Sequence, residues 1–487
     1  MIWKESSPKS RKFGTVTRKK ILETGDGSGS RFRIGEIEMA DRVRKRGKTM
    51  KYLEKRFKLR EAGTSIRTEI VAGMTTFMTM AYILVVNPMI LASAGMEFTK
   101  VFAATAIASV LATLVMGLLA NLPIGLSAGM GLNAFFAYTV CMRMGYSWQW
   151  AITAIFIEGI IFLLLTFFNI REAIVNSIPA TLKKAIGAGI GLYIAFIGLQ
   201  NAGIITGGST LVELSPDWYR GPSGLAMLGL LITAILMIRK IPGAILIGMI
   251  VTTLIGIPLG LTSFGGGSFL PSAPYFFPFA FDEIFSSGKS VFDFVVVLFT
   301  FLFVDMFDTV GTLIACAGKS GIIRQDGSIP NCKQALLADA IGTTSGAMLG
   351  TSTVTSFVES AAGVAAGGRT GLTAVTTAVM FLFALFLGPL FASIPGAATA
   401  PALILVGAMM ISPVREIDFN DLTEGIPAFL CVLFMICAYS ISDGIMFGIM
   451  SYVLINLLAG KSRKINHMAW VICAMFLLRI VVGTVIK

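Results

Sequence analysis

Past residue 69 the chain is a succession of apolar stretches about twenty residues long, the length that crosses the hydrocarbon core of a bilayer. They lie near 70–92, 101–121, 125–140, 149–169, 182–204, 223–238 and 242–264. After a polar, aromatic and Gly-rich loop over 265–290 they resume near 291–316, 333–349, 351–367, 372–393, 397–411, 426–440 and 443–459. Fourteen such stretches take up more than half of a 487-residue chain. Only 14% of the residues are charged, where a soluble domain carries about 25%. This excludes a disordered chain and a soluble globular enzyme. The expected fold is an all-α polytopic membrane protein. A last apolar stretch, 468–486, holds Arg479, and the sequence does not decide whether it spans or lies in the interface.

Charge is concentrated at one end. Residues 1–69 hold 20 Lys/Arg and 9 Asp/Glu, a balance of +11, and the remainder holds 19 and 18, a balance of +1. A basic arm just before a first apolar span explains cytosolic retention and attraction to anionic lipid, rather than nucleic-acid binding. It lacks the apolar core of a secretory leader. With the N-terminus in the cytosol, the even-numbered loops carry Arg171, Lys183, Lys184, Arg239, Lys240, Lys319, Arg324, Lys333, Arg369 and Arg415, and Lys461, Arg463 and Lys464 follow the fourteenth span. The odd loops carry Lys100, Arg143, Arg220 and Lys289. Thirteen against four fits fourteen spans with both flanks cytosolic. The localisation expected is therefore integral to a plasma (inner) membrane.

Two spans would make poor helices. Gly125–Tyr138 reads GLSAGMGLNAFFAY and Gly350–Gly363 reads GTSTVTSFVESAAG, each opening with a Gly/Ser/Thr-rich half of low helix propensity. Irregular backbone at membrane depth survives only where protein or a cavity satisfies its polar groups. Each is third in its set of seven. An offset of 225 pairs Ser127 with Ser352 and sets Asn133 beside the counterpart of Glu359. MILASAGM (89–96) also resembles TLIACAGK (312–319) at an offset of 223. Seven is odd, so the halves have opposite orientations. An inverted repeat with broken segments marks a midplane binding site.

The spans contain Glu158, Asp305, Asp308, Asp339 and Glu359, with no internal Lys or Arg in the first fourteen to pair with them. An ionised carboxylate at such depth costs about 2.5–3.5 kcal/mol even on insertion scales. These groups therefore exchange protons, or bind a cation or a hydrogen-bond donor. Asp305 and Asp308 sit three apart in FLFVDMFDTVGTL and share a helix face, with Gly311 and Thr312 close behind. Glu359 stands where the polar half of its segment gives way to small residues. Glu158, flanked by ordinary apolar helix, is expected to bond a neighbouring helix. Asn133 offers an amide beside the other broken segment. Phe135, Phe136, Phe307 and Phe357 are expected to pack, although one or two could stack on a flat ring.

Catalytic and metal sites are not expected. The six Cys (Cys141, Cys316, Cys332, Cys431, Cys437 and Cys473) form no CxxC pair, and the one His, His467, lies near the end of the chain. No GxxxxGK[ST] loop supports primary pumping. A secondary transporter leads over a channel, a receptor or an intramembrane enzyme.

Several long motifs carry a resemblance. FVDMFDTVGTL, PNCKQALLADAIGTTSGAMLGTSTVTSFVESAAGVAAGGRTG, DLTEGIPAFL, TTFMTMAYILVVNPMIL and GLSAGMGLNAFFAY resemble the nucleobase–cation symporter-2 (xanthine/uracil permease) family, and more narrowly its AzgA-like purine permeases. The resemblance covers about 66–460 and leaves the first 65 residues outside it. It implies a uracil-permease-like fold of two inverted seven-span repeats, with short strands in spans 3 and 10. It also implies a core domain of spans 1–4 and 8–11 (about 67–170 and 291–394) and a gate domain of spans 5–7 and 12–14 (about 180–265 and 396–460). Residues 1–66 would be a basic cytosolic tail and 461–487 a C-terminal segment. The implied activity is import of hypoxanthine, guanine or adenine with protons, by alternating access and without a cofactor, sodium being the less favoured coupling ion.

The family's acids of spans 8, 9 and 10 fall on Asp308, Asp339 and Glu359, and its span-3 amide on Asn133. Expected substrate contacts are thus Glu359, Asp308, Asn133, Thr312 and Phe357, and expected coupling groups are Asp308, Asp339 and Asp305. Ser360 follows Glu359 where the nucleobase/ascorbate branch has Asn, which weakens a xanthine, uric acid, uracil or ascorbate assignment. The alternatives are a xanthine/uracil-type symporter, or a channel or anion exchanger on the same fold; an anion carrier should offer a cationic residue or bare helix N-termini at the site. The partners expected are a small purine base and the lipid bilayer, with a homodimer left open.

Overall fold

The apolar stretches begin at residues suited to helix starts. Ser65, Ser147, Asp421 and Ser440 accept backbone N–H groups through their side-chain oxygens at the starts of the first, fourth, thirteenth and fourteenth spans. These are donors that a helix cannot satisfy internally. The computed structural model describes residues 51–168, 179–208, 211–262, 269–320, 329–466, 469–470, 472–474 and 476–477. Most of the basic tail, Arg171, Arg324 and His467, together with the side chains of Lys289, Phe307 and Lys319, lie outside the described residues.

Each expected span is occupied. The first is split into Ile66–Met80 and Ile83–Ala92, where an ordinary helix was expected over 70–92. At the split, Leu84 N–H bonds Ala81 O and Val85 N–H bonds Tyr82 O, three residues back. Pro88 then has no N–H for the Leu84 carbonyl. The second span is Phe98–Val115, ending in a wider π-helical turn, Met116–Ala120. The third is β1 (Leu126–Ala128), a short helix Met130–Ala134 and a π-helical stretch Phe135–Arg143. Spans four and five are Trp148–Phe167 and Ala180–Asn201. A hairpin of β2 (Ile205–Gly208) and β3 (Leu211–Leu214) follows. Its two strands of four residues had no periodic signal strong enough to stand out after a span. Spans six to nine are Gly221–Ile238, Ala244–Gly256, Gly288–Ser320 and Cys332–Leu349. The tenth is β4 (Val354–Ser356) and the helix Ser360–Ala365. The last four are Gly371–Ala384 continued by Gly388–Ala392, Gly396–Met410, Leu422–Cys437 and Ile441–Leu458.

Helix contacts fall into two groups. Span 1 packs on 10 and 11, span 2 on 9 and 11, and span 4 on 8 and 9. Span 5 packs on 12, 13 and 14, span 6 on 7 and 12, and span 13 on 14. In lipid such contacts rest on close packing and hydrogen bonds rather than on water exclusion. Gly117 and Gly371 accordingly let spans 2 and 11 meet backbone to backbone, where a Cβ on Gly371 would strike the Gly117 carbonyl. Between the groups, the Arg143 guanidinium pairs with Asp443 at 3.0 Å and bonds the Ala438 carbonyl at 2.7 Å. Of the 468–486 stretch, Ile472, Cys473 and Phe476 are buried, and the Phe476 ring meets Phe299 of span 8.

The halves are related by an inverted repeat, and the broken spans prove it bond by bond. β1 and β4 pair antiparallel, Leu126 with Ser356, Ser127 with Thr355 and Ala128 with Val354. Gly129 N–H bonds Thr353 O and Phe357 N–H bonds Gly125 O; adding 228 to Gly129 and subtracting it from Thr353 turns the first pair into the second. Thr113 of span 2 bonds both N–H and O of Leu126, and Thr343 of span 9 bonds Val354 O. The strand bounds correct the sequence offset: 354 − 126 is 228, not 225, so the counterpart of Ser127 is Thr355 rather than Ser352. The ungapped match missed three residues because Gly/Ser/Thr-rich stretches align almost equally well at neighbouring registers.

Candidate functional site

The strand pair ends the extended halves of spans 3 and 10 facing each other and starts a short helix after each. Glu359 is the residue on which the helix Ser360–Ala365 begins. Its carboxylate Oε1 accepts a 2.7 Å bond from the Tyr82 hydroxyl, and its carbonyl accepts from Thr79 Oγ1 at 3.3 Å. The split in span 1 thus aims Tyr82, fully buried, at the broken part of span 10. Asp308 of span 8 is half-buried and close enough to Glu359 and Asp339 for their charges to repel. Among the described residues its carboxylate takes no protein hydrogen bond, and no Lys or Arg pairs with either acid. Exposed Gly311, one turn on, has no atom within 4 Å of where a Cβ would stand. Thr312 and Phe357 are buried nearby in sequence, and the Phe357 backbone closes the strand pair.

Asp305 and Asp339 belong to a second cluster under the strands. The Thr309 hydroxyl lies 2.7 Å from Asp339 Oδ1, 3.5 Å from Asp305 Oδ1 and 2.7 Å from the Thr355 hydroxyl. All four side chains are buried. A hydroxyl donates once and accepts twice, so Thr309 couples the two acids to the strand that leads into Glu359.

Asn133 is placed in a third cluster. Its Nδ2 donates to Asn87 Oδ1 at 3.0 Å, and it shares no hydrogen bond with Glu359. Its own Oδ1 is buried without a hydrogen-bond partner among the described residues. Asn87 is the hub. It donates to Thr105 and Thr351 at 2.8 and 2.9 Å and also accepts from Ser352 at 3.3 Å. One amide thus uses all four of its bonds to tie spans 1, 2, 3 and 10. Replacing Asn87 with Ala should lower stability by about 1–3 kcal/mol, since buried partners are left unpaired. Unfolding of the purified protein in detergent measures this, and an unchanged midpoint would reject the hub.

Two more acids are structural. Glu158 Oε2 accepts from Thr353 Oγ1 at 2.8 Å, joining span 4 to span 10 as expected. Glu69, just before the first apolar stretch, escaped the count of intramembrane acids. It is fully buried, and it accepts from the N–H groups of Arg369, Thr370 and Thr373 and from the Thr373 hydroxyl at 2.6 Å. A carboxylate at the N-terminus of span 11 satisfies its open donors and its dipole. Tyr82, Asn87 and Thr309 were also missed. Asn87 and Tyr82 left a signal, as polar groups inside the apolar run MAYILVVNP.

What this arrangement can do is accept hydrogen bonds at membrane depth through two neighbouring carboxylates, and exchange protons there. Comparisons with known proteins narrow the class. The Permease family (Xan_ur_permease) matches residues 67–447. Guanine/hypoxanthine permease PbuO of Bacillus subtilis is 43% identical over 434 residues, covering 87% of this chain and 99% of the relative. Adenine permease AdeP of Escherichia coli is 42% identical over 430 residues, covering 88% and 96%. The solved transmembrane domain of a cyanobacterial bicarbonate transporter, BicA, superposes with a TM-score of 0.59 at 15% identity, covering 78% of this chain and 97% of that one.

Proposed function

This chain belongs to the Permease family, is an integral membrane transporter rather than an enzyme, and from that premise we propose that it imports purine nucleobases together with protons. The observation that carries this is the pair Glu359 and Asp308, without a cation among the described residues, beside the paired strands, in a chain 42–43% identical to adenine and guanine/hypoxanthine permeases.

A purine base is flat and neutral, edged with N–H donors and with ring-nitrogen or carbonyl acceptors. Glu359 takes N–H bonds from one edge. Leaving that acceptor or those donors unpaired in a buried site costs about 1–3 kcal/mol per group, which selects bases with the right edge. Asp308 carries the coupling proton, and Asp339 and Asp305 tune it through Thr309. The two helix groups act as core and gate, and movement of the core past the gate exposes the site alternately. The N-terminus faces the cytosol of a plasma (inner) membrane. An anion exchanger on the fold shared with BicA is the weaker reading, because the site presents carboxylates and no cation among the described residues.

Uptake of radiolabelled adenine, hypoxanthine and guanine by purine-auxotrophic cells, with and without a protonophore, tests the proposal. Concentrative, protonophore-sensitive uptake is expected, and equilibration without accumulation would indicate a channel. Deleting residues 2–60 is expected to leave uptake per inserted molecule intact, because the tail lies outside residues 67–447 of the family match and has the composition of a solvated arm. Loss of uptake by correctly inserted truncated protein would make the tail part of the machine.

A further inference from the structure

Tyr82 is used by none of the steps above, yet it makes the one side-chain hydrogen bond to Glu359 among the described residues. Its side chain is fully buried at the split of span 1. Helix Ile66–Met80 ends just before it and helix Ile83–Ala92 starts just after it, so its backbone is held from both sides. The Thr79 hydroxyl, one turn earlier, holds the Glu359 carbonyl at 3.3 Å. Span 1 therefore grips Glu359 at its backbone and at one carboxylate oxygen.

Resting on the nucleobase reading, we propose that Tyr82 is a specificity-determining positioning residue, whose hydroxyl occupies Oε1 of Glu359 and leaves the substrate an acceptor directed through Oε2. A carboxylate free on both oxygens favours a ligand edge with two adjacent N–H donors, because two parallel bonds form at once. Guanine presents such an edge, its ring N1–H beside an exocyclic amine. Hypoxanthine has the same ring N–H without the amine. With one lone pair of Oε1 engaged by the Tyr82 hydroxyl, the second donor of guanine must share that oxygen and bonds it more weakly. With the carboxylate held in place, the single donor of hypoxanthine meets an acceptor already oriented. Both effects level the two bases.

The wild-type protein provides the first test. Affinities of the purified full chain for guanine and hypoxanthine are expected to lie within about threefold of each other, well under the tenfold or so that a further hydrogen bond to a charged group supplies. A guanine preference of tenfold or more in the wild type would overturn the proposal. The second test is Tyr82→Phe, which removes the hydroxyl and keeps the ring. The guanine-to-hypoxanthine affinity ratio should rise about tenfold, because Oε1 is released and the carboxylate can turn to meet two donors. Equal losses for both bases would mark Tyr82 as a packing residue and overturn the proposal. Should Tyr82→Phe fail to fold, the wild-type ratio still decides. A wild-type protein that binds neither base would instead remove the nucleobase reading, and this inference with it. That outcome is distinct from a wild type that binds purines with an unbalanced ratio.

Discussion

Glu359→Gln is expected to cost roughly 100-fold in affinity for every purine base the protein carries, while the protein still inserts and folds. The change is nearly isosteric, so the packing of the helix that begins at Ser360 is kept. What changes is hydrogen bonding. The carboxylate accepts on both oxygens and donates nothing, whereas the amide accepts on one atom and donates from the other. A substrate N–H that meets an amide N–H finds no acceptor, and an unmade bond to a charged group in a buried site is worth about 1.5–3 kcal/mol. Tyr82 can still donate to the remaining oxygen, so the span 1 contact survives and the loss falls on the ligand. Equilibrium binding of adenine, guanine and hypoxanthine to purified protein measures it. Unchanged affinity for all three would remove Glu359 from the site.

Asp308→Asn should separate binding from accumulation. Neutral bases gain nothing directly from the membrane potential, so concentrative uptake needs a coupled ion. One charge moved through 100 mV supplies about 2.3 kcal/mol, enough for roughly 50-fold accumulation. Asp308 suits that role by its surroundings: it is half-buried, has no cation or protein hydrogen bond among the described residues, and feels the charges of Glu359 and Asp339. Asn resembles the permanently protonated acid and keeps its volume. Base binding or exchange across proteoliposomes should therefore persist, while accumulation falls to equilibration and internal acidification during purine uptake disappears. Full concentrative uptake by the variant, or a purine-driven sodium flux without acidification in the parent, would sink the assignment.

Much of this protein was legible in the residues because a bilayer is an unforgiving solvent. A stretch of twenty apolar residues has few alternatives to a spanning helix, so the spans could be bounded one by one. GLSAGMGLN and GTSTVTSFVES declared themselves for the same reason. Such backbone cannot face lipid, so the residues marked both segments as broken, and the family resemblance supplied the strands. The acids were visible because a carboxylate among apolar residues is costly enough to have a cause.

Which partners those side chains take was decided only by tertiary contacts. In sequence, Asn133 and Glu359 looked like facing members of one site, and the structure adds that each takes a partner from span 1: Asn133 bonds Asn87, and Glu359 bonds Tyr82. Asp305 and Asp308 are one turn apart, yet Asp305 lies against Thr309 while Asp308 takes no hydrogen bond among the described residues and stands near Glu359. Glu69 sat outside every apolar window and turned out to be fully buried, closing the start of a helix some 300 residues away. Helix periodicity sets which residues share a face; it does not say which helix that face will meet. The sequence by itself determined the number of spans, the inverted halves, the broken segments and the presence of acids within the spans, because each follows from local hydrophobicity and backbone propensity. The three-residue correction of the repeat and the choice of Tyr82 as the partner of Glu359 were decided by the tertiary structure, because they depend on hydrogen bonds between segments far apart in the chain.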